Sequence, residues 1–374
     1  MIMTVHYTDT SPGIVDCDIH VGYDSIQDLR PYLPRATSEL LAQSASYGFT
    51  MPGYPWQHPT GWIRKDTYGD RDDGDALTPG FTLEQLRAQL LDRYGVVRGI
   101  TIPDEPAGFS VLPNAHLASA LCSAYNDWLA DHWLTREPRL AGTIVVPGQH
   151  PQAAADEIRR RAGDDRFVGI FLPGAARVPY GNPLYDPIWE AAHDTGLPVV
   201  IHVHYEGVGI AGPLTAAGHP DFYLEYHALV GSSLLGHLAS VLCHGIFERF
   251  PRTRVMLMEG GLGMYAGLLW RLDTNWKSCR SETPFCVRPP SEYVWDHVRF
   301  TTQPLETPAD PAQLRGVLEP LRPDTTVCFA SDYPHWDFDE PNLTLRDLPA
   351  AWRAPILGRN ASEFYGLNLE AAIA

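Results

Sequence analysis

The stretch PVVIHVH, residues 198–204, decides how this chain folds. Its apolar run offers no polar face, so a strand built from it must be covered on both sides, as parallel sheets require. It then ends in His202 and His204. Three distant stretches repeat the pattern. IVDCDIH (residues 14–20) carries Asp18 and His20, VMLMEGG (255–261) reaches Glu259, and VCFASDYPH (327–335) reaches Asp332. Acidic and imidazole groups at the carboxyl ends of several parallel strands are how a (β/α)8 TIM barrel gathers one pocket from a whole chain.

Eight strands fit the sequence: Ile14–His20, Val96–Ile102, Leu140–Val146, Phe167–Leu172, Val199–His204, Arg254–Glu259, Val298–Thr302 and Thr326–Asp332. Helical patterns lie between most of them, at Pro151–Ala162, Pro187–Thr195, Leu234–Arg249 and Tyr265–Lys277. Strand alternating with helix implies βαβ units. Eight repeats favour closure into a barrel, with a doubly wound open sheet as the competing fold. A single domain over residues 1–374 is expected.

One segment interrupts the rhythm. Residues 21–79 are rich in Pro, Gly and aromatics, including Tyr47, Phe49, Tyr54, Trp56, Trp62 and Tyr68. They follow the first strand, where a barrel carries its active-site loops, and long loops of this kind are commonly functional. The segment reads as a lid over the pocket or as an oligomer contact. A second loop, Glu206 to Tyr226, follows the fifth strand and is also placed to close over the site.

The 374 residues carry a net charge of −17, with 44% hydrophobic and 20% charged residues. That balance is of a soluble globular protein and argues against nucleic acid or an anionic membrane as partner. The first residues lack a basic start followed by an apolar core, and no apolar stretch near ~20 residues stands free of charges or turn residues. The expected location is the cytoplasm. The six cysteines form no C-x-x-C pair, which speaks against a zinc ribbon or a thioredoxin motif. A Cys279–Cys286 disulfide is conceivable from their shared polar loop.

Residues two apart on a strand point the same way, so Asp18 and His20 share a face, as do His202 and His204. With Asp332 they make a mixed nitrogen and oxygen donor set suited to Zn²⁺, Mn²⁺ or Fe²⁺. An ion with an open coordination position would acidify water or polarise a substrate carbonyl or carboxylate. Each residue alone has a plainer reading. Asp18 and His20 could cap a loop, His202 could be a core histidine, and Asp332 could start a turn. Glu259 resists this, because a carboxylate closing an apolar strand needs a partner. His335 and Asp337 read equally as substrate contacts or turn residues. Arg271, Asp273 and His244 read as structural.

These motifs together resemble the amidohydrolase-related TIM-barrel proteins, in the branch of aminocarboxymuconate-semialdehyde decarboxylase and the resorcylate decarboxylases. The resemblance runs through VDCDIH, LPVVIHVH, GIFERFPRTRVMLMEGG, WRLD and FASDYPHWD. It implies a metal held by Asp18, His20, His202 and Asp332. Two departures stand out. Asp18-x-His20 replaces the common His-x-His, and Glu259-Gly-Gly replaces the sixth-strand His-Gly-Gly or His-Met-Gly, whose histidine serves as acid/base. Glu259 could instead act as base, ligate the metal, or bridge to a second ion. The fourth strand, FVGIFLPG, has no lysine for a carbamate bridge.

The primary expectation is a metal-dependent hydrolase acting on a small organic acid, lactone or amide through a metal-activated water. Glu259, Asp332 and His204 are its candidate catalytic residues, and Asp18, His20, His202, Asp332 and Glu259 its metal ligands. Non-oxidative decarboxylation of a small aromatic or unsaturated acid is the first alternative. An O₂-dependent hydroxylase with a dinuclear Fe or Mn centre is the second, and a non-catalytic scaffold subunit the third. One ion is expected, with two as the variant. A homo-oligomer is expected, with a hetero-oligomer beside a paralogous subunit as the variant.

Overall fold

A computed structural model describes residues 13–44, 63–64 and 82–369. Eight strands form one parallel sheet in sequence order: β1 (Ile14–Val21), β2 (Val96–Pro103), β3 (Leu140–Val145), β4 (Phe167–Pro173), β5 (Val199–His202), β6 (Val255–Met258), β7 (Val298–Thr301) and β8 (Val327–Cys328). The ring closes where the Cys17 amide donates to the Phe329 carbonyl at 3.0 Å and the His20 amide to the Tyr333 carbonyl at 2.8 Å. A parallel bridge joins Ile19 to Tyr333 at the same seam. This is the expected (β/α)8 TIM barrel. Every residue of β1, β3, β4, β5 and β6 is buried, which accounts for their unbroken apolar runs.

The last strands are shorter than the sequence suggests. β5 stops at His202 and β6 at Met258, while β8 pairs only through Val327 and Cys328. Beyond them Tyr205, Glu259 and Asp332 take left-handed backbone conformations, with φ of 62°, 60° and 58°. Such φ values are uncommon for residues with a Cβ and persist only where the surroundings enforce them. Freed amides find other partners. The Phe329 amide donates to the Ile356 carbonyl, and the Ser331 amide to Asp16 Oδ1 at 2.9 Å. The Glu259 amide donates to Thr301 Oγ1 at 3.1 Å. The apolar pattern therefore ran past each strand into the turn that delivers the site residue.

Two further expectations change. The helix read as Leu234–Arg249 is two helices, Ser232–Cys243 and Ile246–Arg249. Gly245 breaks it at φ 62°, and a Cβ there would lie 2.5 Å from Phe285 Cβ. The helical stretch Tyr223–Cys243, with 21 residues and mean hydropathy 1.3, is long and apolar enough by length and composition to cross a membrane. No such stretch was expected; it runs on through Gly231 because that residue keeps right-handed dihedrals (φ −60°, ψ −13°). Its apolar face is spent on the barrel: Tyr226, Leu234, His237, Leu238, Val241 and Leu242 are buried. All six cysteines are free thiols, so Cys279 and Cys286 form no disulfide.

The six aromatic residues named for the lid lie outside the described residues. Of the 45–81 segment, Ile63 and Arg64 are described. Ile63 forms an antiparallel bridge with His335, and the Arg64 amide donates to the Pro334 carbonyl at 2.9 Å. The Arg64 guanidinium lies 4.2 Å from the centre of the Phe338 ring. These residues tie the insertion to the β8 loop at the barrel mouth.

Candidate metal centre

The carboxyl ends of the strands bring all five of the predicted ligands into direct contact. His20 Nε2 lies 3.3 Å from Asp18 Oδ1 and 3.0 Å from Asp332 Oδ1. His202 Nε2 lies 3.2 Å from Asp18 Oδ2 and 3.2 Å from Glu259 Oε2. Asp18, His20, His202 and Asp332 are all at most 1% exposed. A bulge in the β1–β2 register between Asp16 and Ile19 leaves Asp18 and His20 on the same side.

The hydrogen bonding fits a cation. His202 Nδ1 donates to the Val203 carbonyl at 2.6 Å, which fixes the tautomer and leaves the Nε2 lone pair facing two carboxylates. His20 Nε2 and Asp18 Oδ1 are buried without a hydrogen-bond partner. Orphaned acceptors turned toward one another in a dry site are costly unless positive charge lies between them. Burial, helped by the charge on His335, pushes the His20 pKa down to about 3, so His20 is neutral and its lone pair is free to meet a cation. Burial also works against charge on His202, but Asp18 outweighs it and the pKa lies above the ordinary value.

Three residues around this core have distinct states. His335 Nδ1 sits 2.7 Å from Asp332 Oδ1. Burial opposes its charge, yet Asp332 lifts its pKa to about 10, so His335 carries a proton at neutral pH. Glu259 is pushed well above the usual carboxylate range by burial and then by Asp332, Asp337 and Asp18. It is thus a carboxyl group that holds a proton, or gives it up when a cation arrives. His204, predicted as catalytic, is forced neutral by burial and the nearby His202. It stands outside the ligand cluster: its Nε2 is 3.9 Å from Asp104 Oδ1, and its ring centre 5.8 Å from that of His202.

Several contributors escaped the sequence reading. Gln303, just past β7, donates from Nε2 to Asp332 Oδ2 at 3.1 Å and to Asp337 Oδ2 at 2.9 Å. A polar residue after the end of a buried strand was the available signal. His227, in the helix Tyr223–Leu229, lies 3.1 Å from Asp337 Oδ2. It comes from the second loop, which closes on the mouth: Trp336 Nε1 donates to the Tyr223 hydroxyl at 3.0 Å. Nothing local marked His227, because its contact with Asp337 depends on where that helix docks. Asp16 was also passed over. It is fully buried, accepts from the Asp18 and Ser331 amides, and is pushed up to about 7 by burial. Asp273, read as structural, is: it accepts from the Ser291 amide and hydroxyl.

Known proteins share this frame. The chain is 26% identical to the gamma-resorcylate decarboxylase of Rhodococcus jostii (strain RHA1) over 206 residues, 51% of this chain and 60% of that protein. It thus spans only about 60% of the length of these curated relatives. Among solved structures, the 5-carboxyvanillate decarboxylase of Sphingomonas paucimobilis superposes with TM-score 0.65 at 21% identity, over 96% of this chain and 100% of that one. The dihydroxybenzoic acid decarboxylase of Polaromonas sp. JS666, solved with bound manganese and 2-nitroresorcinol, gives TM-score 0.64 at 18% identity, over 95% and 97%. At those identities the superpositions establish the shared barrel. The Amidohydro_2 amidohydrolase profile matches residues 15–367, nearly the whole barrel and all the site residues named above. The chain belongs to the amidohydrolase family.

Proposed function

We propose that this protein is a divalent-metal-dependent decarboxylase of a small aromatic or unsaturated carboxylic acid. The observation that carries the reading is the buried Asp18–His20–His202–Asp332 cluster with His335 held 2.7 Å from Asp332. The relatives support the reaction class, since the names of the curated and structural matches above are those of decarboxylases. Hydrolysis, the primary expectation from the residues, draws no support from them.

A divalent ion such as Mn²⁺, bound by Asp18, His20, His202 and Asp332, would supply Lewis-acid charge facing the substrate carboxylate and its neighbouring oxygen. The chain does the rest. Asp332 and His335 hold the proton that the carboxyl-bearing carbon must receive. Transfer of that proton to carbon lets the carbon–carboxyl bond break, its electron pair returning to the ring or alkene as carbon dioxide leaves. Solvent restores the proton to the Asp332–His335 pair. Gln303 fixes the Asp332 carboxylate, and His204, neutral and adjacent to Asp104, is suited to position substrate rather than to donate a proton.

The test offers manganese-loaded protein a panel of hydroxybenzoates, including 2,6-dihydroxybenzoate and 5-carboxyvanillate, in D₂O. Release of one carbon dioxide with one deuterium entering the product at the vacated carbon is the expected result. A product that retains its carboxylate ends this reading. A second reading is O₂-dependent hydroxylation of a small acid. Glu259 at the β6 position favours it, as the carboxylate touches His202 and could serve two ions. Turnover undiminished under strict anaerobiosis would dispose of it.

A further inference from the structure

Glu259 belongs to two clusters. On one side its Oε2 is 3.2 Å from His202. On the other, ligand atoms of His227, Glu259 and Asp337 all lie within 4.8 Å of one another. Atoms that bind one ion at about 2.0–2.2 Å lie at most about 4.4 Å apart, and His227 Nε2 already stands 3.1 Å from Asp337 Oδ2, so the triangle is close to the size one ion needs. Its members come from three separate elements: the helix Tyr223–Leu229, the turn after β6, and the loop after β8.

We propose that His227, Glu259 and Asp337 hold a second divalent cation beside the first, with Glu259 shared between the two. This rests on the reading of the first centre. One imidazole and two carboxylates make a borderline-hard donor set, suited to Mn²⁺, Fe²⁺ or Zn²⁺. The side chains of His227, Asp337 and Glu259 remain 21%, 13% and 13% exposed, so an ion can reach them from solvent. Gln303 Nε2 donates to both Asp332 and Asp337 and so fixes the spacing between the two clusters.

Charge makes the same demand. Asp18, Glu259, Asp332 and Asp337 converge here, four carboxyl groups where one divalent ion would bring only two positive charges. The competing arrangement is His227 hydrogen-bonded to Asp337 as a latch for the second loop.

Counting ions separates the two. The full chain is stripped with chelator, reloaded with Mn²⁺, gel-filtered and assayed by elemental analysis and low-temperature electron paramagnetic resonance. The expected result is two ions per chain, with the six-line mononuclear signal lost to spin coupling. His227→Ala and Asp337→Asn should each hold one ion and regain the six-line signal, which also shows that they are folded. One ion in the unmodified chain overturns the second seat and leaves the first standing. No bound ion overturns the first centre as well. Two ions in both variants overturn the residue assignment.

Discussion

Asp332→Asn isolates the charge on which the proposed proton transfer depends. Asparagine matches aspartate in shape and tolerates left-handed backbone, so the φ of 58° at this position survives the change. What is lost is the negative charge 2.7 Å from His335 Nδ1. Asp332 lifts the His335 pKa from 6.5 to about 10 against the opposing effect of burial. Without it burial dominates, and His335 should titrate at or below 6.5. That difference corresponds to about 5 kcal/mol in favour of the charged imidazole, net of the burial penalty and with Asp104 and Asp337 adding to Asp332. The sign for stability follows. A raised folded pKa stabilises the protein fully below pH 6.5, and the benefit disappears as pH rises toward 10. Metal-free protein should therefore lose stability across that window, and Asp332→Asn should not. The assay is the His335 titration by long-range ¹H–¹⁵N correlation in the metal-free chain, with kcat measured in the manganese-loaded one. Loss of a positioned proton carrier costs about 10²–10⁴ in rate, or about 3–5 kcal/mol of barrier. A His335 midpoint within one unit of the parent, or a kcat within tenfold of it, would refute the reasoning.

Two further outcomes test the packing around the site. His237 is buried, its Nδ1 accepting from the Tyr180 amide and its Nε2 donating to the Gly174 carbonyl, and burial holds its pKa down to about 4. Stability should be full above pH 6.5 and fall as pH drops toward 4, by at most about 3 kcal/mol from this group. His237→Gln, which can keep both hydrogen bonds, should flatten that part of the acid limb in urea melts; an unchanged slope contradicts the assignment. Gly231→Ala would set a Cβ 2.2 Å from the Gly260 carbonyl oxygen, next to Glu259. Because the dihedrals there already suit alanine, the cost is steric, about 1–3 kcal/mol. Lower urea stability with weaker manganese binding is expected, and parent-like values for both would count against the close approach.

The barrel was legible because eight apolar runs, each too apolar for a one-sided sheet, alternate with helices. Asp18, His20, His202 and Asp332 were legible because they close those runs. Strand ends were misjudged because an apolar pattern reports burial, not pairing: Val203 and Phe329–Ala330 are buried yet lie beyond their strands. His204 was expected on the same face as His202 by alternation. The chain leaves β5 at His202, and the later histidine turns toward Asp104 instead.

Periodicity and residue chemistry are local, so the sequence alone determined the architecture and most of the candidate donor set. Contacts between residues hundreds of positions apart are not local, and only the tertiary structure decided them. It brought Asp16 to Ser331, Gln303 between two aspartates, and His227 across the mouth to Asp337. The protonation states followed too: burial and neighbouring charge made His20 neutral and His335 charged, although the two side chains are chemically identical in the linear chain.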